Sequence, residues 1–166
     1  MQSLQDNMAE FQQQLQKGAI QKAYQGLMAY MLSLKNHFAN TYPDYAASGS
    51  LYPGYMDMTY FSILPSFLKE RDLKFAIVFL YDAFRFEIWL SGKNKQVLSH
   101  YWKIFQHSGW DQYKVVEPGK GIDSVVEHIL VENPDFGDQD ALTRQIEQGA
   151  VQFIQDIESF LAKNAT

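Results

Sequence analysis

Three ionisable residues lie among large apolar neighbours, in the two most aromatic segments of the chain. Asp57 falls within residues 51–61, whereas Arg85 and Glu87 fall within residues 84–90. A charge in such surroundings is paired with another charge or belongs to a site. Paired carboxylates can hold a divalent cation, and the guanidinium fork of arginine can bind a carboxylate or phosphate through two hydrogen bonds. The predicted chemistry is therefore ion pairing, metal binding or recognition of a small anion.

Aromatic residues surround these charges, because thirteen of the twenty-five Phe, Tyr and Trp residues lie between positions 42 and 89. Tyrosine and tryptophan combine a large apolar body with a polar tip, which suits ligand rims and interfaces. The same residues also suit a loop that folds back onto the core with its hydroxyls satisfied. The candidate binding residues are Tyr52, Tyr55, Asp57, Tyr60, Arg85, Glu87 and Trp89.

A β-hairpin over residues 73–91 is predicted to position the charged pair. With a two-residue loop, Val78 pairs with Glu87 and Leu80 with Arg85. One face then carries an apolar set that we expect to be core, and the opposite face carries Arg85, Glu87 and Trp89. A strand over residues 55–63 would add Asp57 to that second face, depending on register. The expected core set is Phe75, Ile77, Phe79, Tyr81, Phe84, Phe86, Ile88 and Leu90.

The remaining pattern predicts helices before and after this hairpin. Apolar residues at helical spacing indicate one helix up to position 17 and a second over residues 19–40, with an apolar stripe from Ile20 to Phe38. Gly26 inside the second helix predicts close approach of another element. Ser124 and Glu127 have the spacing of a capping box, which predicts a helix to about position 132. The fold predicted for residues 1–166 is a single α+β domain with a four-stranded mixed sheet, packed by amino- and carboxy-terminal helices.

Composition excludes several classes of protein. The chain contains no cysteine, so thiolate chemistry and sulfur-ligated zinc are excluded. Residues 121–166 carry nine acidic and two basic side chains, which argues against general nucleic-acid binding. No membrane span, signal peptide or histidine metal pattern is recognisable. We expect a cytoplasmic protein without a metal or cofactor.

The order helix, three strands, helix, strand resembles the core of the PD-(D/E)xK nucleases over about residues 19–117. That resemblance implies a metal-dependent phosphodiesterase that uses Asp57, Glu87 and a lysine. Tryptophan, however, stands at position 89, where the family motif requires lysine. The resemblance therefore favours a degenerate relative over an active nuclease.

A second resemblance covers nearly the whole chain. Residues 22–28, 48–61, 73–79 and 84–90 resemble a family of small bacterial proteins classed as a domain of unknown function. Residues 54–61, Gly-Tyr-Met-Asp-Met-Thr-Tyr-Phe, are the most specific part of the match. The resemblance implies a bacterial, cytosolic, single-domain protein, and it carries over no activity or catalytic residue.

Taken together, the residues favour a non-enzymatic module that binds a small anionic ligand or a protein partner. Its predicted site is the tyrosine-rich loop, residues 42–55, together with the sheet face that bears Arg85, Glu87 and Trp89. A metal-dependent phosphodiesterase is the alternative. A homo-oligomer whose interface uses the exposed aromatic residues is a third possibility.

Overall fold

A computed structural model describes residues 1–164 and shows an α+β fold with four α-helices and five strands in those residues. Two short 3₁₀ turns, Pro43–Tyr45 and Ser66–Leu68, lie in the connections. In chain order the elements are α1 (Leu4–Gln16), α2 (Ala19–Thr41), β1 (Met58–Ile63), β2 (Leu73–Leu80), β3 (Arg85–Gly92), α3 (Lys95–Ser108), β4 (Lys114–Val115), β5 (Ser124–Glu132) and α4 (Gln139–Asn164).

The five strands form one sheet in the order β1-β2-β3-β5-β4, and every neighbouring pair is antiparallel. The prediction of a four-stranded mixed sheet is therefore wrong in strand number and in direction, although the α+β class is confirmed. Strand β1 also begins at Met58, three residues later than predicted. The added strand is β5, which lies between β3 and the two-residue strand β4.

Strand β5 replaces the helix that the capping-box pattern predicted for residues 124–132. Ser124 does contact Glu127, because its hydroxyl donates to the carboxylate at 2.9 Å, but the bond lies within a strand. Val125, Val126 and Val131 are β-branched and buried, which favours a strand that pairs with β3. Pairing with β3 therefore outweighs the local capping signal.

The predicted hairpin register is confirmed, since Val78 pairs with Glu87 and Leu80 with Arg85. Four residues, 81–84, form the turn between the strands. Phe84 occupies the left-handed region of backbone space, with φ of 52°. Its side chain is 53% exposed, so its assignment to the buried core is wrong. Phe84 lies in the turn, where its ring contacts Phe79 and Phe136 while about half of its surface stays in water.

The main core lies between one face of the sheet and the helices. Phe75 of β2 meets Phe153 of α4 edge to face, and Phe105 of α3 stacks on Phe160 of α4 with ring centroids 4.3 Å apart. Each fully buried side chain of this size stabilises the fold by roughly 1.5–3 kcal/mol. The predicted core residues of the hairpin that are fully buried here are Phe75, Ile77, Phe79, Phe86, Ile88 and Leu90.

Helix α1 contributes nothing to this core, since none of its residues is buried. Ser3 and Asp6 form a capping box at its start. Its apolar side chains Leu4, Met8 and Phe11 are 76%, 50% and 44% exposed. These side chains are available for contact with another molecule, and self-association stays a prediction. No helix in residues 1–164 is both long and apolar enough to cross a membrane.

Candidate functional site

Arg85, Glu87 and Trp89 lie together on the sheet face opposite the main core, as predicted. The Glu87 carboxylate accepts from Arg85 Nε at 2.6 Å and from Trp89 Nε1 at 2.9 Å. These residues alternate along β3, so all three side chains project from the same face. Glu87 is only 3% exposed, and a charged group is normally buried only where it has a partner. The trio is therefore a hydrogen-bonded ion pair in which Glu87 is the shared acceptor.

A polar cleft of about 500 Å³ borders this ion pair at the β4–β5 edge. Arg85 and Lys114 are the permanently charged basic residues that line the cleft, and both face carboxylates. Arg85 also approaches Glu132, with Nη1 3.6 Å from Oε1, and Lys114 Nζ lies 3.9 Å from a Glu127 carboxylate oxygen. A small anion in this cleft would compete with those carboxylates. The geometry therefore gives little support to the predicted anion site.

His128 also lines this cleft, and acid should destabilise the protein through it. Burial lowers the pKa of His128, and the nearby Glu87 charge only partly offsets this effect. The ring lies parallel to Phe153 and 4.7 Å from the ring centroid of Tyr113. Because the unfolded imidazole titrates near pH ~6.5, stability should be complete above that pH and fall as pH decreases toward the lowered pKa of the folded state.

Urea unfolding at pH 7.5 and pH 5 measures this loss. The variant His128→Phe keeps an aromatic ring against Phe153 and should show a smaller decrease between the two pH values. An equal decrease in both proteins would assign the acid sensitivity to other groups.

Tyr52 and Tyr60 form a second group next to the ion-pair face. Their backbones exchange two hydrogen bonds, of 2.8 and 3.0 Å, and their rings lie 4.9 Å apart. Lys74 Nζ lies 5.8 Å from the centre of the Tyr60 ring, within cation–π range. The bridge places residue 52 beside the edge strand β1, so these tyrosines cover an otherwise unpaired strand edge.

The earlier part of the tyrosine-rich loop packs on the core. Tyr42 stacks on Tyr45 with ring centroids 4.8 Å apart, and its hydroxyl donates to Glu147 at 2.8 Å. Desolvation, followed by this bond to a carboxylate, raises the pKa of Tyr42 to about 12. The sequence left two alternatives for this loop, a ligand rim or a loop folded back onto the core. Tyr42 and Tyr45 follow the second.

Tyr55 and Asp57 are not joined to the Arg85 group. Asp57 precedes β1, and its carboxylate accepts the N–H of Tyr55 at 2.9 Å, which lowers its pKa. The same turn requires Gly54, whose φ is 73° and whose added Cβ would lie 1.8 Å from the Met58 carbonyl oxygen. Tyr55 itself is 88% exposed. Residues 54–58 thus form a tightly constrained turn.

The metal-dependent alternative requires Asp57 and Glu87 to share a site. Their carboxylates instead bind different partners, the Tyr55 backbone and the Arg85–Trp89 pair. Within residues 1–164, no three His, Asp or Glu side chains are grouped so that they could hold a metal ion.

A second concavity, which we call the hairpin cavity, has a volume of about 430 Å³. It is lined by α2, by the β2–β3 turn and by the residues around the start of α4. The apolar stripe of α2 divides here: Leu27 and the residues after it are buried, whereas Ile20 and Tyr24 face the cavity. Its apolar walls include Ile20, Ala23, Leu27, Phe79, Phe84 and Phe136.

The rim of the hairpin cavity combines exposed apolar side chains with unfavourable backbone conformations. Met56 and Phe84 are 49% and 53% exposed, and their φ angles are 64° and 52°. A left-handed conformation costs roughly 1–2 kcal/mol for a residue with a Cβ. Such strain concentrates at functional positions. Exposed apolar surface and backbone strain therefore coincide at the rim, and this combination favours a functional role for the hairpin cavity.

Gly26 lies on the α2 wall of the cavity. A Cβ built on Gly26 would meet no atom within 4 Å, so the prediction of a close approach by another element is wrong. Glycine inside a helix lowers stability by roughly 0.5–1 kcal/mol relative to alanine. Gly26 therefore makes α2 less stable than alanine would at the same position, which borders the cavity.

The polar residues that line the cavity are Tyr24, Tyr81 and Gln139, and none of its described lining residues is charged. Tyr81 Oη lies 2.7 Å from Thr59 Oγ1. Desolvation raises the pKa of Tyr81, the hydrogen bond with Thr59 lowers it in part, and Tyr24 and Asp57 raise it further. A concave apolar site of ~300–1,000 Å³ with a few polar groups is typical of small-molecule binding.

Sequence reasoning identified the ion-pair face but missed this cavity. Its lining residues come from segments far apart in the chain, and most of them resemble core residues in the sequence. Gly26 was the one available signal, because a glycine inside a regular helix has no helical reason to be there.

Comparisons with known proteins give one match. A family model described as "Domain of unknown function (DUF7000)" matches residues 4–161. No curated protein and no solved structure matches the chain. The match confirms the predicted resemblance to a family classed as a domain of unknown function.

Proposed function

The chain belongs to DUF7000, a domain of unknown function, and we propose that it is a non-enzymatic protein that binds small, neutral, mainly apolar molecules. The hairpin cavity is the proposed site. The observation that carries the proposal is its size of about 430 Å³ combined with an uncharged, apolar lining. A cavity of these dimensions can enclose a compact ligand of about ten to sixteen carbon atoms.

The exposed rim supports the proposal energetically. Met56 and Phe84 leave much of their apolar surface in water, and Ile20 is 38% exposed beside them. A ligand in the cavity would cover this surface while it buries its own. Removal of roughly 300 Å² of apolar surface from water contributes about 7 kcal/mol, which offsets the loss of translational and rotational freedom on binding.

Titration with the neutral dye N-phenyl-1-naphthylamine tests the proposal. We expect saturable binding with one site per chain, a blue shift of the dye emission, and release of the dye by menthol. Phe84→Ser should weaken binding severalfold, because it removes an apolar ring from the rim without removing a buried side chain. Non-saturable dye partitioning, or a dye signal that menthol does not reduce, would contradict a defined cavity site.

A further inference from the structure

The hydrogen bonds around Thr59 fix the direction of the Tyr81 hydroxyl. Thr59 is fully buried, and its Oγ1 lies 2.7 Å from the Pro53 carbonyl oxygen and 2.7 Å from Tyr81 Oη. A carbonyl oxygen can only accept a hydrogen bond. The single hydroxyl hydrogen of Thr59 is therefore donated to Pro53.

Tyr81 must then donate its own hydrogen to Thr59. The alternative leaves two oxygens 2.7 Å apart without a hydrogen between them. A phenol has one hydrogen and can accept through its remaining lone pairs. In the hairpin cavity Tyr81 therefore acts as an acceptor, and a polar group that binds to it must be a donor.

Tyr24 provides the complementary hydroxyl. It lines the same cavity as Tyr81. The Tyr24 hydroxyl can donate as well as accept, because no side-chain bond within residues 1–164 fixes its hydrogen in the way that Thr59 fixes that of Tyr81. A ligand hydroxyl could donate to Tyr81 and accept from Tyr24 at the same time.

The uncharged lining and the nearby Asp57 carboxylate disfavour an anion. A carboxylate would meet the lone pairs of Tyr81 and no cation. A ketone or aldehyde has the right size and charge but offers only an acceptor, so it cannot bond to Tyr81. Of the neutral oxygen groups, a hydroxyl satisfies both tyrosines.

We infer that the ligand of the hairpin cavity is an alcohol, with an apolar body in the cavity and its hydroxyl bound between Tyr81 and Tyr24. This inference rests on the proposed function and adds the ligand's functional group to it. Discrimination arises because a ketone, which can accept from Tyr24, still leaves the lone pair of Tyr81 without a hydrogen-bond donor.

Menthol and menthone provide a matched test, since they share a carbon skeleton and differ in a hydroxyl and a ketone. Both are titrated as competitors of N-phenyl-1-naphthylamine. Wild-type protein should bind menthol about two- to tenfold more tightly than menthone, because one neutral hydrogen bond contributes roughly 0.5–1.5 kcal/mol.

Two variants test the assigned donor. In Thr59→Val the Tyr81 hydrogen loses its acceptor and can point into the cavity, so the preference for menthol should fall to about one or reverse. In Tyr81→Phe the acceptor is absent, so both compounds should bind with similar affinity. Thermal unfolding of each variant establishes that it is folded.

The outcomes separate this inference from the proposed function. Equal binding of both compounds to wild-type protein, or tighter binding of menthone, overturns the alcohol assignment and leaves the cavity as a binding site. A menthol preference that persists unchanged in Tyr81→Phe overturns it as well. If neither compound displaces the dye, the proposed function fails and the alcohol inference fails with it.

Discussion

Replacement of Arg85 by methionine should lower the free energy of unfolding by about 3 kcal/mol. The substitution leaves the Glu87 carboxylate, 3% exposed, with the Trp89 N–H as its remaining partner among the bonds described above. Loss of one partner of a buried ion pair costs about 3–5 kcal/mol. We expect the lower end of that range, because the Arg85 side chain is 30% exposed and solvent already screens part of its charge.

The control is the double variant with Arg85→Met and Glu87→Gln. Glutamine removes the buried charge and keeps an acceptor for the Trp89 Nε1 hydrogen. This variant should recover most of the lost stability in urea unfolding, and the single variant Glu87→Gln should lie between the extremes.

The same pair of variants distinguishes an ion pair from an anion site. If the single variant Arg85→Met is as stable as the wild type but no longer binds a small carboxylate or phosphate, the predicted sheet-face site is supported. An unstable single variant rescued by the second substitution identifies Arg85 as a structural partner of Glu87.

The hairpin was predictable because its information is local. Alternation along residues 84–90 places Arg85, Glu87 and Trp89 on one face, and pairing with β2 follows once the turn is located. Strand β5 was not predictable in the same way, because Ser124 and Glu127 satisfy a helical motif while pairing with β3 decides the conformation. Where a local sequence pattern and long-range strand pairing favour different conformations, the strand pairing determines the structure.

In the candidate site, too, local features could be predicted from the sequence, whereas features that depend on long-range contacts could not. The sequence left open whether Asp57 lies beside Glu87. Its carboxylate binds the backbone of its own turn, and a period-two pattern contains no information about such a bond. The hairpin cavity depends on how α2 approaches the β2–β3 turn. Ile20 and Phe84 are residue types that are common in protein cores. Only their relative position in space places them at the rim of a cavity.

Gly26→Phe should abolish ligand binding and leave the fold intact. A Cβ at this position meets nothing within 4 Å, so the new side chain begins in open space beside α2. The ring would fill part of a cavity of about 430 Å³ and exclude a ten-carbon ligand. We expect the affinity for N-phenyl-1-naphthylamine to fall at least about 100-fold, the size of effect expected when roughly 3 kcal/mol of apolar contact is lost.

Two alanine variants serve as controls, because the chain contains two glycines inside helices with opposite surroundings. Gly26→Ala should raise the free energy of unfolding by about 0.5–1 kcal/mol and leave most of the binding, since a methyl group occupies little of the cavity. Gly149→Ala in α4 should gain less or lose stability, because its Cβ would lie 2.8 Å from Leu130 Cδ2. Unchanged dye affinity in a folded Gly26→Phe protein would show that the ligand binds elsewhere. A gain of stability in Gly26→Ala together with loss of binding in Gly26→Phe is the result expected if this glycine keeps the cavity open at the expense of helix stability.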